Sequence, residues 1–194
     1  MPKCMRASKY PMLQLIDLSS GNAATVEQTA ALLHTVFRPL AWETMDEARE
    51  EIAEMLSPDR ILRVAIDDAE SGAVIGMIGG ISHYNGHVWE LHALAVRADH
   101  RKRGLGRRLV EDLEEQVKAR GGLTITLGTD DEDNRTSLSN NDLYENLWQK
   151  VTTIRNLNHH PYEFYQKLGY VITGIVPDAN GWGKPDILMS KRLG

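Results

Sequence analysis

Five basic residues and two glycines crowd into eight positions: Arg101, Lys102, Arg103, Gly104, Gly106, Arg107 and Arg108. They follow the apolar run Val88–Val96 and lead into an amphipathic run over roughly Leu105 to Arg120, which reads as strand, turn, helix. Glycine lets a backbone take conformations that side chains forbid and approach a ligand closely. The helix start adds free N–H groups and the positive end of its dipole. Together these residues make an anion site suited to a pyrophosphate. Two common phosphate loops are ruled out. G-x-G-x-x-G fails because position 109 is Leu, and G-x-x-x-x-G-K-[ST] does not occur.

The elements needed to hold such a turn can be read along the chain. Strands are expected at 13–18, 61–67, 74–82, 88–96, 123–128, 170–176 and 186–191. Helices are expected at 26–37, 46–56, 105–120, 142–156 and 161–168. Ser71-Gly72 signals a hairpin between the second and third strands, Ser57-Pro58 ends the second helix, and Gly169 caps the last. A polar insertion is expected over 129–141. The fold class expected is therefore α/β (α+β), a mixed central sheet of about seven strands flanked by helices. Residues 1–11 read as a flexible tail and 12–194 as one domain, with Met12 as an alternative start or first strand residue.

Composition narrows the function. With 194 residues, 42% hydrophobic and 25% charged, the chain has the make-up of a globular domain. No apolar run approaches the roughly 18 residues of a membrane span, so no membrane partner is expected. Cys4 is the single cysteine, which leaves no intrachain disulfide and no cysteine cluster for zinc; a cytoplasmic location is the default. The net charge of −5 is unevenly spread. The basic residues concentrate at 97–108, whereas 46–55 and 129–133 are acidic. A focused basic spot, unlike the broad basic face of a nucleic-acid binder, suits a phosphate-bearing cofactor, and the acidic segments suit a cationic second substrate.

Arg101, Gly104 and Gly106, preceded by Leu94-Ala95-Val96, spell (Q/R)-x-x-G-x-(G/A). In this pattern the chain resembles the GNAT superfamily of N-acetyltransferases, whose loop binds the pyrophosphate of acetyl-coenzyme A. The element order agrees along nearly the whole chain. The runs WELHALAV, LGTDDEDNRTSLS and HHPYEFYQKLGYVITGIVPDANGWGKPDI are similar to those of aminoglycoside 6'-N-acetyltransferases. The resemblance implies acetyl-CoA as co-substrate with no metal, a small cationic amine as acceptor, a homodimer, and direct attack in a ternary complex. Acetylation of polyamines or peptide amines remains an alternative, as does a non-catalytic acyl-CoA-binding regulator on the same fold.

The resemblance also implies roles residue by residue. A primary amine is mostly ammonium near neutral pH and must lose a proton before it attacks. Glu90, in the central strand, is the expected base and ammonium anchor. His92 is a second candidate, since its ordinary pKa suits base work. By strand alternation Glu90, His92 and Leu94 share one face. The family's bulged strand would free the backbone of Leu94 and Val96 for the oxyanion and the pantetheine arm. Arg101, Lys102, Arg103, Gly104, Leu105, Gly106 and Arg107 would cradle the pyrophosphate. The segment from Asn158 to Tyr170 parallels N-x-x-A-x-x-x-Y-x-x-x-G-(F/Y), with Pro161 in the alanine position. It makes Tyr165 the acid for the departing thiolate and Asn158 a pantetheine contact. Asp130, nearest the strand end, is the expected acceptor-binding carboxylate of the acidic run 130–133. Tyr84, Trp42 and Glu43 are the expected walls.

Overall fold

Seven strands form one sheet in the order β1-β2-β3-β4-β5-β7-β6. They are β1 (Leu13–Asp17), β2 (Arg60–Asp67), β3 (Ala73–His83), β4 (Val88–Val96), β5 (Thr124–Asp130), β6 (Val171–Val176) and β7 (Asp186–Arg192). The helices are α1 (Ala23–Phe37), α2 (Met45–Met55), α3 (Leu105–Ala119), α4 (Leu147–Thr152) and α5 (Tyr162–Gln166). This computed structural model describes residues 13–39 and 41–194. The tail 1–11, Cys4 and Met12 lie outside the described residues. Among the described residues, no helix is long and apolar enough to cross a membrane.

Local chemistry explains the helix starts. Thr44 and Glu47 form a reciprocal capping box at α2, Glu47 N–H to Thr44 Oγ1 at 3.2 Å and Thr44 N–H to Glu47 Oε2 at 3.1 Å. From there Ala48, Ile52 and Met55 recur on one face and are buried. In α3 the buried stripe is Leu105, Leu109, Val110, Leu113 and Val117. The two stripes cover opposite faces of the sheet, each with its own core. One core joins Leu105, Leu109 and Leu113 to Trp89, Leu91, Ile125, Leu127, Tyr165 and Ile187. The other joins Leu33, Ile52 and Met55 to Leu62, Met77 and Ala95.

Strand β4 belongs to both cores, and this is where the strand-alternation expectation fails. Trp89 and Leu91 enter the α3 core, yet Ala95 enters the α1–α2 core. The flip occurs at Ala93, whose φ is +59° and which is skipped between the pairs Gly79↔His92 and Ile78↔Leu94. An extra residue on one strand turns the following side chains over. Leu94 and Val96 therefore pack toward the α3 core, whereas His92 reaches α2 on the opposite face. Gly79 makes room for the bulge, since a Cβ there would lie 2.6 Å from His92 O and 2.5 Å from Met55 Cε.

Every neighbouring pair of strands is antiparallel except β4 and β5. These run parallel, in register only from Val88↔Thr124 to Glu90↔Thr126. Beyond Glu90 the two strands part, and the sheet opens a wedge between them.

Two expected elements differ. The helix expected over 142–156 starts only at Leu147, because Asn146 takes left-handed backbone that a helix does not accommodate, and it ends at Thr152. The insertion expected over 129–141 starts later, since Thr129 and Asp130 extend β5 and pair with Ile187 and Asp186.

Candidate functional site

The wedge has polar walls of two kinds. On the α3 side, Arg97 N–H donates to Ile75 O at 2.9 Å, toward β3. Peptide groups alternate along a strand, so those of Leu94 and Val96 face the opening. The Val96 carbonyl accepts from Arg101 Nε at 3.0 Å, which ties the basic turn to the strand end. Gly104 caps α3 at φ +92°, with nothing within 4 Å of where its Cβ would stand and no side chain on the first-turn N–H groups. Leu105 is buried and anchors the turn, while Arg101, Lys102, Arg103 and Arg107 are exposed around it. Arg107 pairs with Glu111 at 3.6 Å. Gly106 lies under Phe164, whose Cζ would be 3.5 Å from an added Cβ. The result is a backbone nest with a cationic rim.

Helix α5 closes that side. Pro161 stands at its N-cap with φ −62°. His160 accepts from Tyr162 N–H at Nδ1 (3.2 Å), which leaves Nε2–H to donate to Asp130 O at 3.1 Å, so α5 is pinned to the end of β5. Tyr165 sits in the same core as Leu94 and Val96 and packs edge-on against Phe164 and Tyr170, with ring centroids 5.0 and 5.7 Å away. Burial pushes its phenol above the ordinary tyrosine range, so it keeps its proton at neutral pH. Asn158 is exposed, with its peptide N–H on Arg135 O at 3.1 Å.

The opposite face carries the carboxylates. Glu90 accepts from His83 Nε2 at 3.0 Å and lies 3.8 Å from His92 Nδ1. His92 Nε2 lies 3.2 Å from Glu51 Oε1, and Glu51 Oε2 accepts from Trp42 Nε1 at 3.4 Å. The Trp42 ring meets the His92 ring edge-on at 6.0 Å. Hydrogen bonds to Glu51 and Glu90 raise the His92 pKa to about 9. The same contacts, His92 foremost, hold both carboxyls below the usual range. These contacts favour the imidazolium form of His92 at neutral pH, which suits it to holding the two carboxylates. It fixes Glu90 in place, beside the half-exposed His83.

A testable consequence concerns pH. A folded-state pKa above the unfolded value of about 6.5 adds stability that is complete below pH 6.5 and lost as pH rises through about 9. Titration of the His92 ring by NMR is expected to give a midpoint near 9. The Tm is expected to fall between pH 7 and 9.5 in the wild type and much less in Glu51→Gln. A His92 midpoint near 6.5 would remove the ion triad.

The expected walls are only partly assembled. Trp42 joins the His92 cluster, while Tyr84 stands 78% exposed and Glu43 is exposed. The acidic run divides. Asp130 is exposed and accepts from Asn180 Nδ2 at 2.5 Å. Asp131 is fully buried and organises its own loop, accepting from Arg135 N–H (2.6 Å), Thr136 N–H (2.9 Å), Thr136 Oγ1 (2.7 Å) and Ser139 Oγ. Burial pushes its pKa up, but those bonds outweigh it and leave the carboxyl below its ordinary value. It has no capacity left for a substrate. Asp133 is taken by Arg135 at 2.8 Å.

Three members of the site escape a reading of residue types. Glu51 is legible afterwards as a carboxylate three residues from Ala48 and four from Met55, hence beside the buried stripe of its helix. His83 enters at the end of β3, opposite Val88. Asp186 is brought in only by the pairing of β7 with β5, opposite Asp130.

A profile of the acetyltransferase (GNAT) family matches residues 29–170. Among solved structures, the chain is similar to an aminoglycoside 6'-N-acetyltransferase complexed with coenzyme A, at 45% identity and TM-score 0.87. It is similar to the aminoglycoside 6'-N-acetyltransferase from Enterococcus faecium at 44% and 0.86, and to an aminoglycoside 6'-acetyltransferase type Ii at 38% and 0.73. Each alignment covers 93% of this chain and 97% of the other. No curated protein matches the chain.

Proposed function

The chain belongs to the acetyltransferase (GNAT) family, and from that premise we propose that it is an aminoglycoside 6'-N-acetyltransferase. It moves an acetyl group from acetyl-CoA to a primary amine of an aminosugar in a ternary complex. The observation that carries this reading is the position of Glu90 at the mouth of the wedge, on the face opposite the basic turn. Donor and acceptor then enter from opposite sides of one opening. The similarity at 38–45% identity to enzymes described as aminoglycoside 6'-acetyltransferases supports the choice of acceptor.

The residues fit acetyl-CoA. The uncapped first turn of α3 and the open backbone at Gly104 suit its pyrophosphate, and the alternate peptides of Leu94 and Val96 suit its pantetheine arm and thioester oxygen. When bound, it supplies a thioester whose acyl carbon is open to attack. Glu90 holds the acceptor ammonium and takes its proton. Tyr165, kept protonated by burial, donates to the departing sulfur. We also propose a homodimer through the free edge at β6, where Val171 is 60% and Val176 43% exposed; sedimentation at micromolar concentration checks it.

Acetyl-transfer assays run in parallel on kanamycin-class aminoglycosides, spermidine and a peptide panel test the assignment. Release of coenzyme A is expected with the aminoglycosides at a kcat/KM well above the other two. Turnover confined to spermidine or peptides would overturn the acceptor class, and ping-pong kinetics would overturn the ternary complex.

A further inference from the structure

We propose that Glu70 is a positioning residue for the coenzyme: from the hairpin between β2 and β3 it sets the geometry of the basic glycine turn, although its own charge opposes the anion that the turn receives. The inference rests on the N-acetyltransferase reading above. Four residues, Arg97 to His100, link the end of β4 at Val96 to the turn that starts at Arg101. They set the distance and angle between the strand peptides suited to the thioester and the nest suited to the pyrophosphate. Their own structure is slight. Ala98–His100 is a single 3-10 turn with no side-chain cap among the described residues, and only His100 of the four is buried. Turns of this kind have poor hydrogen-bond geometry and little strength of their own. The link has to be held from outside.

Glu70 does this with both oxygens. Oε2 accepts from Arg97 Nη2 at 2.5 Å and Oε1 lies 3.0 Å from His100 Nε2, so one carboxylate spans the first and last residues of the link. The three side chains meet at one point, with Arg97 Nη2 2.6 Å from His100 Nε2. Asp99 braces Arg97 from a second side, accepting from Nε at 2.8 Å and from Nη2 at 3.0 Å. The hairpin that carries Glu70 is itself stiff. Asp67 is buried and accepts from Ala69 N–H at 3.0 Å, Gly72 N–H returns to Asp67 O at 3.2 Å, and Ser71 and Gly72 take left-handed backbone. Arg97 first, and His100 more weakly, hold the Glu70 carboxyl below its usual range, so it stays ionised at neutral pH. Charge and position then predict opposite signs. Coulomb's law alone makes a carboxylate near an anion site a hindrance, so its removal would tighten coenzyme A. A positioning role makes its removal loosen coenzyme A, because the nest loses its prearranged geometry.

Calorimetric titration of coenzyme A into the wild type, Glu70→Gln and Glu70→Ala reads that sign. Kd is expected to rise about three- to fivefold in Glu70→Ala, the scale of a half-exposed ion pair, with Glu70→Gln in between because its amide keeps one acceptor for Arg97. KM for acetyl-CoA is expected to rise in parallel, while kcat at saturating acetyl-CoA and KM for the acceptor stay within about twofold of wild type. Glu27→Ala is the control. It breaks a similar two-oxygen pair, with Arg49 at 2.6 and 3.0 Å, between α1 and α2, and is expected to leave Kd unchanged. Without any ligand, hydrogen exchange at the amides of residues 102–106 is expected to be faster in Glu70→Ala than in the wild type, and unchanged in Glu27→Ala. A Kd for Glu70→Ala equal to or tighter than wild type, an equal penalty in Glu27→Ala, or unchanged exchange in the turn would overturn the proposal. If the wild type does not bind coenzyme A, the N-acetyltransferase reading fails, while Glu70 is still judged on the exchange of the unliganded turn.

Discussion

Glu90→Gln is expected to lower kcat by about two to three orders of magnitude, the usual scale for removing a positioned proton acceptor, while KM for acetyl-CoA changes little. The amide keeps the shape of the side chain and one acceptor oxygen but can neither hold an ammonium by charge nor take its proton. The split follows from the wedge, since the groups suited to acetyl-CoA lie on its other side. The His92 and His83 contacts hold the Glu90 carboxyl below the usual range. An acid limb near pH 6 therefore belongs to another group and should survive in the variant. Steady-state kinetics from pH 5 to 9 check both points. A kcat within threefold of wild type would remove Glu90 as the acceptor of the proton.

Gly79→Ala is expected to cost about 3 kcal/mol of stability, the upper part of the range for overpacking, with Tm lower by about 6–12 °C on the scaling for chains of this size. The new methyl would meet Met55 Cε at 2.5 Å, and that side chain can move. It would also meet His92 O at 2.6 Å, and that oxygen cannot move unless the bulge at Ala93 is undone. Turnover should fall with stability, because losing the bulge would return Leu94 to the face of Glu90. Gly104→Ala is the contrast: no atom lies within 4 Å, so only the left-handed backbone at φ +92° resists, at about 1 kcal/mol. Thermal melts of the two variants check the difference. A Gly79→Ala melt within 2 °C of wild type would mean that β3 yields there.

Much of the fold is legible in residue types because its signals are local. The Thr44–Glu47 cap, the apolar stripe of α3 and the Ser71-Gly72 turn each act within a few residues. The basic glycine turn before α3 is legible for the same reason. Alternation misleads on β4, where one left-handed residue at Ala93 inverts the strand's second half. The clue lies in the partner strand, in the glycine pair Gly79-Gly80, which marks close backbone approach only once the pairing is known. Asp131 reads as one more charge in an acidic run, yet its donors arrive from residues up to eight positions away. Asp186 depends on the β5–β7 register, to which no local pattern refers.

The inverted strand also bears on how such an enzyme can change. On the function proposed above, Glu90 and His92 before Ala93 face the acceptor side, and Leu94 and Val96 after it face the donor side. Substitutions on the face of Glu90 can thus change the range of amines while the coenzyme seat stays intact. Selection for a new acceptor has one wall to rework, and each trial along the way remains a loaded acetyl donor.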